Sequence, residues 1–514
     1  MKRFYLASIF ISLTLMASAQ HPFLEDVFDE VSVTPNQIYG VNATILAFQQ
    51  TGEAIPQPLI MDVYEPVGDT AELRPLVIYW HTGNFLPYPQ NGSTGGTLRD
   101  SVVVEMCRRL ARAGYVAASS DYRLGWNPIA PTQDERVYGI INAAYRGVQD
   151  ANTCVRYWKK TVTEFGNPFR IDTNRIVHMG EGTGGYVGMN TSALDDYLKI
   201  PTASNGKFLV SDGMGGFIPM IIEQVNGNVE GTTVGISPGF PLPFPAGDTL
   251  CYPNHVGYTS TFAASVNIGG AIADTAWIDP GQPPIISIQC PYDPFAPYVE
   301  GIVLVPVVDL EVVEVQGAYL VQKLANEYGN NASMIPKHVT TFQEDVTTSV
   351  NARNDGYEGL YPIYGTGGPF DSSPWQYWDT LTNANSENGF LTNPDMTTEK
   401  AHRYIDSIFA YVLPRLYSTL DLAELTSTKD LINIEQIEMV VYPNPASTEV
   451  FIGVREEYPI RNISVYDMKG ALMEVHSGID FNYYNLNVSH FPSGQYILRF
   501  EFDEGIAARQ IVVR

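Results

Sequence analysis

From about residue 30 to residue 417, short apolar runs alternate with stretches of helical pattern. Strands buried on both faces read as unbroken apolar runs, and parallel neighbours need crossover helices. The alternation therefore predicts an α/β domain built on a mostly parallel sheet. Strands are expected at 59–64, 76–80, 115–119, 176–179, 265–268, 285–289 and 359–364, with helices at 101–113 and 139–164. The first helix places Val102, Met106, Leu110 and Ala113 on one face, as an amphipathic helix requires. Between about 194 and 264 the pattern fails among Gly, Pro and aromatic residues, which reads as an inserted cap. There is no internal repeat.

Composition removes several function classes. Thirty Lys and Arg against 56 Asp and Glu give a net charge of −26, the wrong sign for nucleic acid or an anionic lipid surface. Cys107, Cys154, Cys251 and Cys290 lack the CxxC or CxxH spacing of a zinc site. No metal and no cofactor is expected. Asp- and Asn-rich stretches such as 351–355 lack the ligand spacing of a calcium loop.

The two ends of the chain read as address labels. Lys2 and Arg3, the apolar run 4–16 and Ala17-Ser18-Ala19 before Gln20 have the form of a signal peptide over residues 1–20. No cysteine stands at the cleavage site, which argues against a lipid anchor. No transmembrane helix is expected, since the longest later apolar run, 302–315, is broken by Asp309, Glu311 and Glu314. Export makes two disulfides permissible, though the spacing does not pair them.

Residues 418–439 are acidic and polar and read as a linker. Short β-branched segments at 449–454, 463–466, 486–488, 496–500 and 509–513 then indicate a small antiparallel sandwich. Tyr442-Pro443-Asn444-Pro445-Ala446-Ser447, Ile463-Ser464-Val465-Tyr466-Asp467 with Gly470, and Gly494-Gln495-Tyr496 resemble the C-terminal sorting domain of the type IX secretion system over 440–514. That resemblance implies the type IX machinery as a partner, and delivery to the outer-membrane surface or the medium. A carbohydrate-binding sandwich is the alternative.

Within the central region four motifs recur in order: 61–66 leading into 74–81, Ser120-Asp121-Tyr122-Arg123-Leu124, Gln149-Asp150-Ala151 leading into 174–180, and Tyr292-Asp293-Pro294. Together they resemble the carboxylesterase branch of the α/β-hydrolase fold. In that fold a strand, a G-x-S-x-G turn and a helix lift a serine to the top of the sheet. Here the turn is Gly180-Glu181-Gly182-Thr183-Gly184, with Gly182 in the serine's place. Glycine has no atom to attack a carbonyl, and it relieves the positive φ that costs another residue roughly 1–2 kcal/mol. Thr183 offers a hydroxyl, but the residue after the apex serves such sites through its backbone N–H.

The resemblance puts the base after the last strand, where Gly368 stands in place of histidine. None of His178, His255, His338 or His402 holds the expected position. Asp293 matches the family's acid, and Asp150 reads as a structural hydrogen-bonding residue. The family's His-Gly-Gly turn becomes His81-Thr82-Gly83-Asn84, so the backbone of Gly83, Asn84 and Thr183 would carry any oxyanion stabilisation. Aromatic segments at 84–89 and 374–378 either line a groove for a sugar or aromatic ligand or pack as loops. Two function classes remain: a secreted pseudoenzyme kept as a binding or surface module, and an active ester hydrolase with displaced residues.

Overall fold

A computed structural model of the chain describes residues 21–240, 242–305, 309–366, 370–426, 432, 434, 437–468, 472–503 and 505–514. The expected leader, 1–20, and Gly368 lie outside the described residues. The chain divides into two compact units, Met1–Leu425 and Thr426–Arg514.

The first unit is built on eight strands: β1 (Val31–Thr44), β2 (Ile55–Pro66), β3 (Arg74–Trp80), β4 (Val116–Ser120), β5 (Ile171–Glu181), β6 (Ala264–Ile268), β7 (Ile285–Gln289) and β8 (Leu360–Pro362). Their spatial order is β1-β2-β4-β3-β5-β6-β7-β8. β1 and β2 pair antiparallel and β2 meets β4 antiparallel; every pairing from β4 to β8 is parallel. This is the strand order of the α/β-hydrolase fold. β1 is absent from the sequence expectation because Pro35, Asn36 and Gly40 interrupt its pattern. In the structure those residues coincide with register shifts against β2.

Side chains alternate across the sheet and both faces are covered. Val77 and Tyr79 pack with Val177, Val266 and Ile286 against α1 (Ser101–Arg112) and against Ile405, Ile408 and Val412 of a C-terminal helix. Leu76, Ile78 and Trp80 face α2 (Gln133–Glu164) through Ala151, Val155 and Trp158. α2 begins at a capping box in which Thr132 accepts from the Glu135 N–H while Glu135 reaches back to Thr132. α3 (Thr183–Ala193) follows β5 directly, α4 (Ala318–Glu327) precedes β8, and α5 (Thr398–Thr419) is the C-terminal helix.

Between α3 and β6 the chain forms only short pieces, including the hairpins Leu209–Ser211/Phe217–Pro219 and Gly235–Ile236/Thr249–Cys251. At the apolar run 302–315, the strands Glu300–Val305 and Leu310–Gln316 pair antiparallel. Among the described residues no helix is long and apolar enough to cross a membrane. All four cysteines are buried and free.

The second unit is all β. A three-stranded antiparallel sheet (Val440–Tyr442, Glu449–Gly453, Tyr483–Asn487) accompanies a four-stranded one (Ile460–Asp467, Leu472–Phe481, Gly494–Glu501, Ile506–Val513). Val450, Ile452, Ile463, Val465, Leu486, Leu498, Phe500 and Ile511 form its core. Leu472–Phe481 escapes sequence detection because it is an edge strand, and its Leu472, Met473 and Val475 stay exposed.

Candidate functional site

β5 delivers the chain to Gly182, which takes φ 52° and ψ −121° before α3 begins at Thr183. This is a region closed to most L side chains without strain. The Gly182 N–H donates to Ile268 O at 2.8 Å, tying the turn to β6. A Cβ on Gly184 would overlap the Trp80 carbonyl, so glycine there lets α3 lie directly on β3. The backbone is that of a nucleophile elbow.

The space above the elbow is filled. A Cβ placed on Gly182 would overlap the Thr82 hydroxyl and lie 3.0 Å from the Thr82 Cβ. Thr82 stands where the resembled turn has glycine. The space that a side chain on Gly182 would need is therefore occupied by Thr82, a hundred residues away in the chain. Thr183 is also committed. Its Oγ1 lies 3.0 Å from the Tyr122 hydroxyl, which donates to His81 O at 3.0 Å and so accepts the Thr183 proton. Burial pushes the Tyr122 phenol well above its ordinary pKa, so it is no base for Thr183.

The turn facing the elbow has three consecutive residues in the left-handed region, Gly83 (φ 128°), Asn84 (φ 56°) and Phe85 (φ 54°). Asn84 holds it in place, donating from Nδ2 to Asn91 O at 2.9 Å and accepting from Trp126 Nε1 at 2.8 Å through its carbonyl.

Asp293 follows β7. Its Oδ1 accepts from the Phe295 and Ala296 N–H groups at 2.8 and 3.1 Å, and its Oδ2 accepts from Ser372 Oγ at 2.8 Å. Burial raises the carboxyl to about 6 despite these donors, with Asp371 adding to the rise. Among the described residues no histidine is bonded to Asp293. His81 Nε2 pairs with Asp121 Oδ1 at 3.1 Å and its ring stacks on Tyr122. Although burial opposes the charged ring, Asp121 holds its pKa above the usual value. His178 accepts from Trp80 Nε1 at 3.0 Å, and burial pushes it down to about 3. His255 Nε2 lies 2.7 Å from Tyr39 O. His338 and His402 pack edge-on against Tyr417 and Tyr377.

The remaining motif residues support the frame. Asp150 is fully buried and accepts from the Arg123 N–H at 2.8 Å and from its Nε at 2.9 and 3.0 Å.

Glu181, not singled out by the sequence reading, lies fully buried beneath the elbow. Gln376 Nε2 is 3.4 Å from its Oε2, while Oε1 makes no hydrogen bond. Burial, reinforced by Asp100, raises its carboxyl to about 8, leaving it protonated at neutral pH. The available signal was a lone acid between two glycines at the end of an apolar strand.

Residues 440–514 match the family model of the secretion system C-terminal sorting domain. This region is a type IX sorting domain, which directs export to the cell surface or extracellular space. No curated protein matches the chain by sequence. Solved structures similar to the chain include Thermogutta terrifontis esterase 2 phosphorylated by paraoxon, at 15% identity, over 51% of this chain and 72% of that one, with TM-score 0.28. The same esterase phosphoramylated by tabun matches at 13% identity over 73% and 94%, with TM-score 0.31. An inhibited esterase B from Lactobacillus rhamnosis matches at 17% identity over 34% and 44%, with TM-score 0.21. The fold of the first unit is carried by its strand order and elbow.

Proposed function

We propose that the hydrolase-like unit is a binding or surface module that does not hydrolyse esters. The domain plan is a signal peptide over 1–20, a hydrolase-like domain over 21–417 with a cap at about 194–264, a linker over 418–439 and the sorting domain over 440–514. In this reading Gly182, Asp293 and Gly368 are vestigial triad positions, and Gly83, Asn84 and Thr183 retain only the backbone of an oxyanion site. No cofactor or metal takes part.

The observation that carries the proposal is the overlap between Thr82 and the missing Gly182 side chain. Losing a serine alone would leave an open pocket that a water or a neighbouring hydroxyl could enter. With Thr82 there, the space that a serine side chain at 182 would need is already occupied, and nucleophilic attack needs both an attacking atom and room for it. Ser372 on Asp293 supports the same reading, because a serine hydroxyl is not basic enough near neutral pH to relay a proton.

The test is direct. The exported chain should hydrolyse short aryl esters no faster than buffer, and a fluorophosphonate probe should label no residue stoichiometrically. Stoichiometric labelling of Thr183 or of any serine would establish the alternative, an active ester hydrolase with displaced residues.

A further inference from the structure

A cleft of about 310 Å³ opens between the loop that precedes α1 and the segment 376–383. Tyr88, Tyr377 and Trp378 are among the residues that line it. Between them lie hydroxyl, amide and carboxyl groups, among them Thr94, Asn383 and Asp379. We propose that this cleft binds a neutral mono- or disaccharide. The proposal goes beyond the binding-module reading by naming a ligand class and a place for it.

Three features select that chemistry. Aromatic residues set among hydrogen-bonding groups suit a sugar ring, which is apolar on its C–H faces and rich in hydroxyls at its edge. The cleft also has no cation to spare for an anion. Arg99 is the basic residue lining it, and its guanidinium is engaged by Asp62 at 2.6 and 2.9 Å and by Asn36 at 2.8 Å. A chain of net charge −26 repels anionic ligands further. Finally, the polar lining does not suit an acyl chain, which needs apolar walls.

The walls are fixed before any ligand arrives. Asn383 Nδ2 donates to Thr94 O at 2.6 Å, Asn385 Nδ2 to Ser93 O at 2.7 Å, and the Tyr377 hydroxyl to Ser101 O at 3.1 Å. Asp100 precedes α1 but does not cap it. Its carboxylate instead accepts from the Gly96 N–H at 2.6 Å, the Thr97 N–H at 3.1 Å and the Thr97 hydroxyl at 2.7 Å. Ser101 and Val102, at the start of α1, also line the cleft. A preorganised site loses less ordering entropy on binding.

The experiment titrates the full chain with cellobiose, maltose and N,N′-diacetylchitobiose, with inorganic phosphate as the anionic control, by calorimetry and tryptophan fluorescence. At least one disaccharide should bind at millimolar concentration or tighter. Trp378→Ala should weaken it about tenfold, or about 1.4 kcal/mol. Because Trp378 packs closely on Gly389, Tyr88→Ala is the second variant; Tyr88 is 37% exposed and should be removable without unfolding. Absence of binding by all three sugars, undiminished binding in both variants, or binding of phosphate in their place would overturn the proposal. Ester hydrolysis measured on the same samples reports on the elbow alone, so the two readings fail separately.

Discussion

In the first unit Arg74, Arg123, Asp150, Arg156 and Arg415 are all buried, whereas the described residues of the second unit bury a single polar side chain, Ser464. The contrast separates two ways of using a fold. A buried charge must be met by a partner in fixed geometry, so each one commits its neighbours and makes the interior intolerant of change. An aliphatic sandwich tolerates substitution as long as volume and patterning are kept. The first unit has a polar interior whose charged groups fix one another's positions. The second is a scaffold that only has to present a surface to be recognised.

The largest effect tests whether the two units are separable. Deleting 441–514 should abolish surface delivery while leaving the thermal midpoint of the first unit unchanged. Normal delivery of the truncated chain, followed by cell fractionation, would remove the address function from the second unit.

Next in size is the difference in tolerance. Asp150→Ala strands Arg123 without its carboxylate and should cost about 3–5 kcal/mol in denaturant unfolding. Ser464→Ala should cost about 1 kcal/mol or less. Equal losses would mean that buried polarity does not distinguish the units.

At the elbow, Gly182→Ala should cost about 1–2 kcal/mol from its positive φ and about 1–3 kcal/mol more from overlap with Thr82. Thr82→Gly in the same chain should recover the second part and not the first. Strict additivity of the two changes would show that Thr82 does not fill the apex.

A further test is a pH dependence, whose effect per pH unit is small. Glu181 holds a proton in the folded state up to about 8, where the unfolded chain releases it near 4.5. Its contribution to stability is therefore complete below about 4.5 and lost as pH rises towards 8, with a slope of at most about 1.4 kcal/mol per pH unit. Asp100 and His81 are the titratable groups acting on it. Glu181→Gln should flatten this slope, and the gain in denaturant midpoint over the native chain should be larger at about pH 8 than at about pH 5. Parallel slopes in the two proteins would show that Glu181 is ionised throughout.

Legibility followed the same division. Strands β2 to β8 were readable from their apolar runs, and the elbow was readable because close backbone approach admits only glycine. The role of Thr82 was not, since it exists only through its distance from Gly182, and nothing local marks a threonine that fills another residue's space. Ser372 as the partner of Asp293 was hidden for a similar reason. It lies in an irregular segment after β8, where no periodicity fixes which residue meets β7. Glu181 was visible as a letter but not as a buried acid, because burial there is decided by Trp375 and Gln376, far along the chain.

The four free cysteines have a consequence for handling and for life outside the cell. In the folded protein burial keeps the thiol pKa values high, so the groups are poor nucleophiles and oxidation has little to act on. Unfolding exposes all four at once, and four thiols can close two bridges in three ways, none of which the native fold contains. Thermal unfolding in an oxidising medium should thus become a one-way step, while the same transition under reductant stays reversible. Outside the cell, this protein's durability is set by how rarely it opens, not by covalent ties.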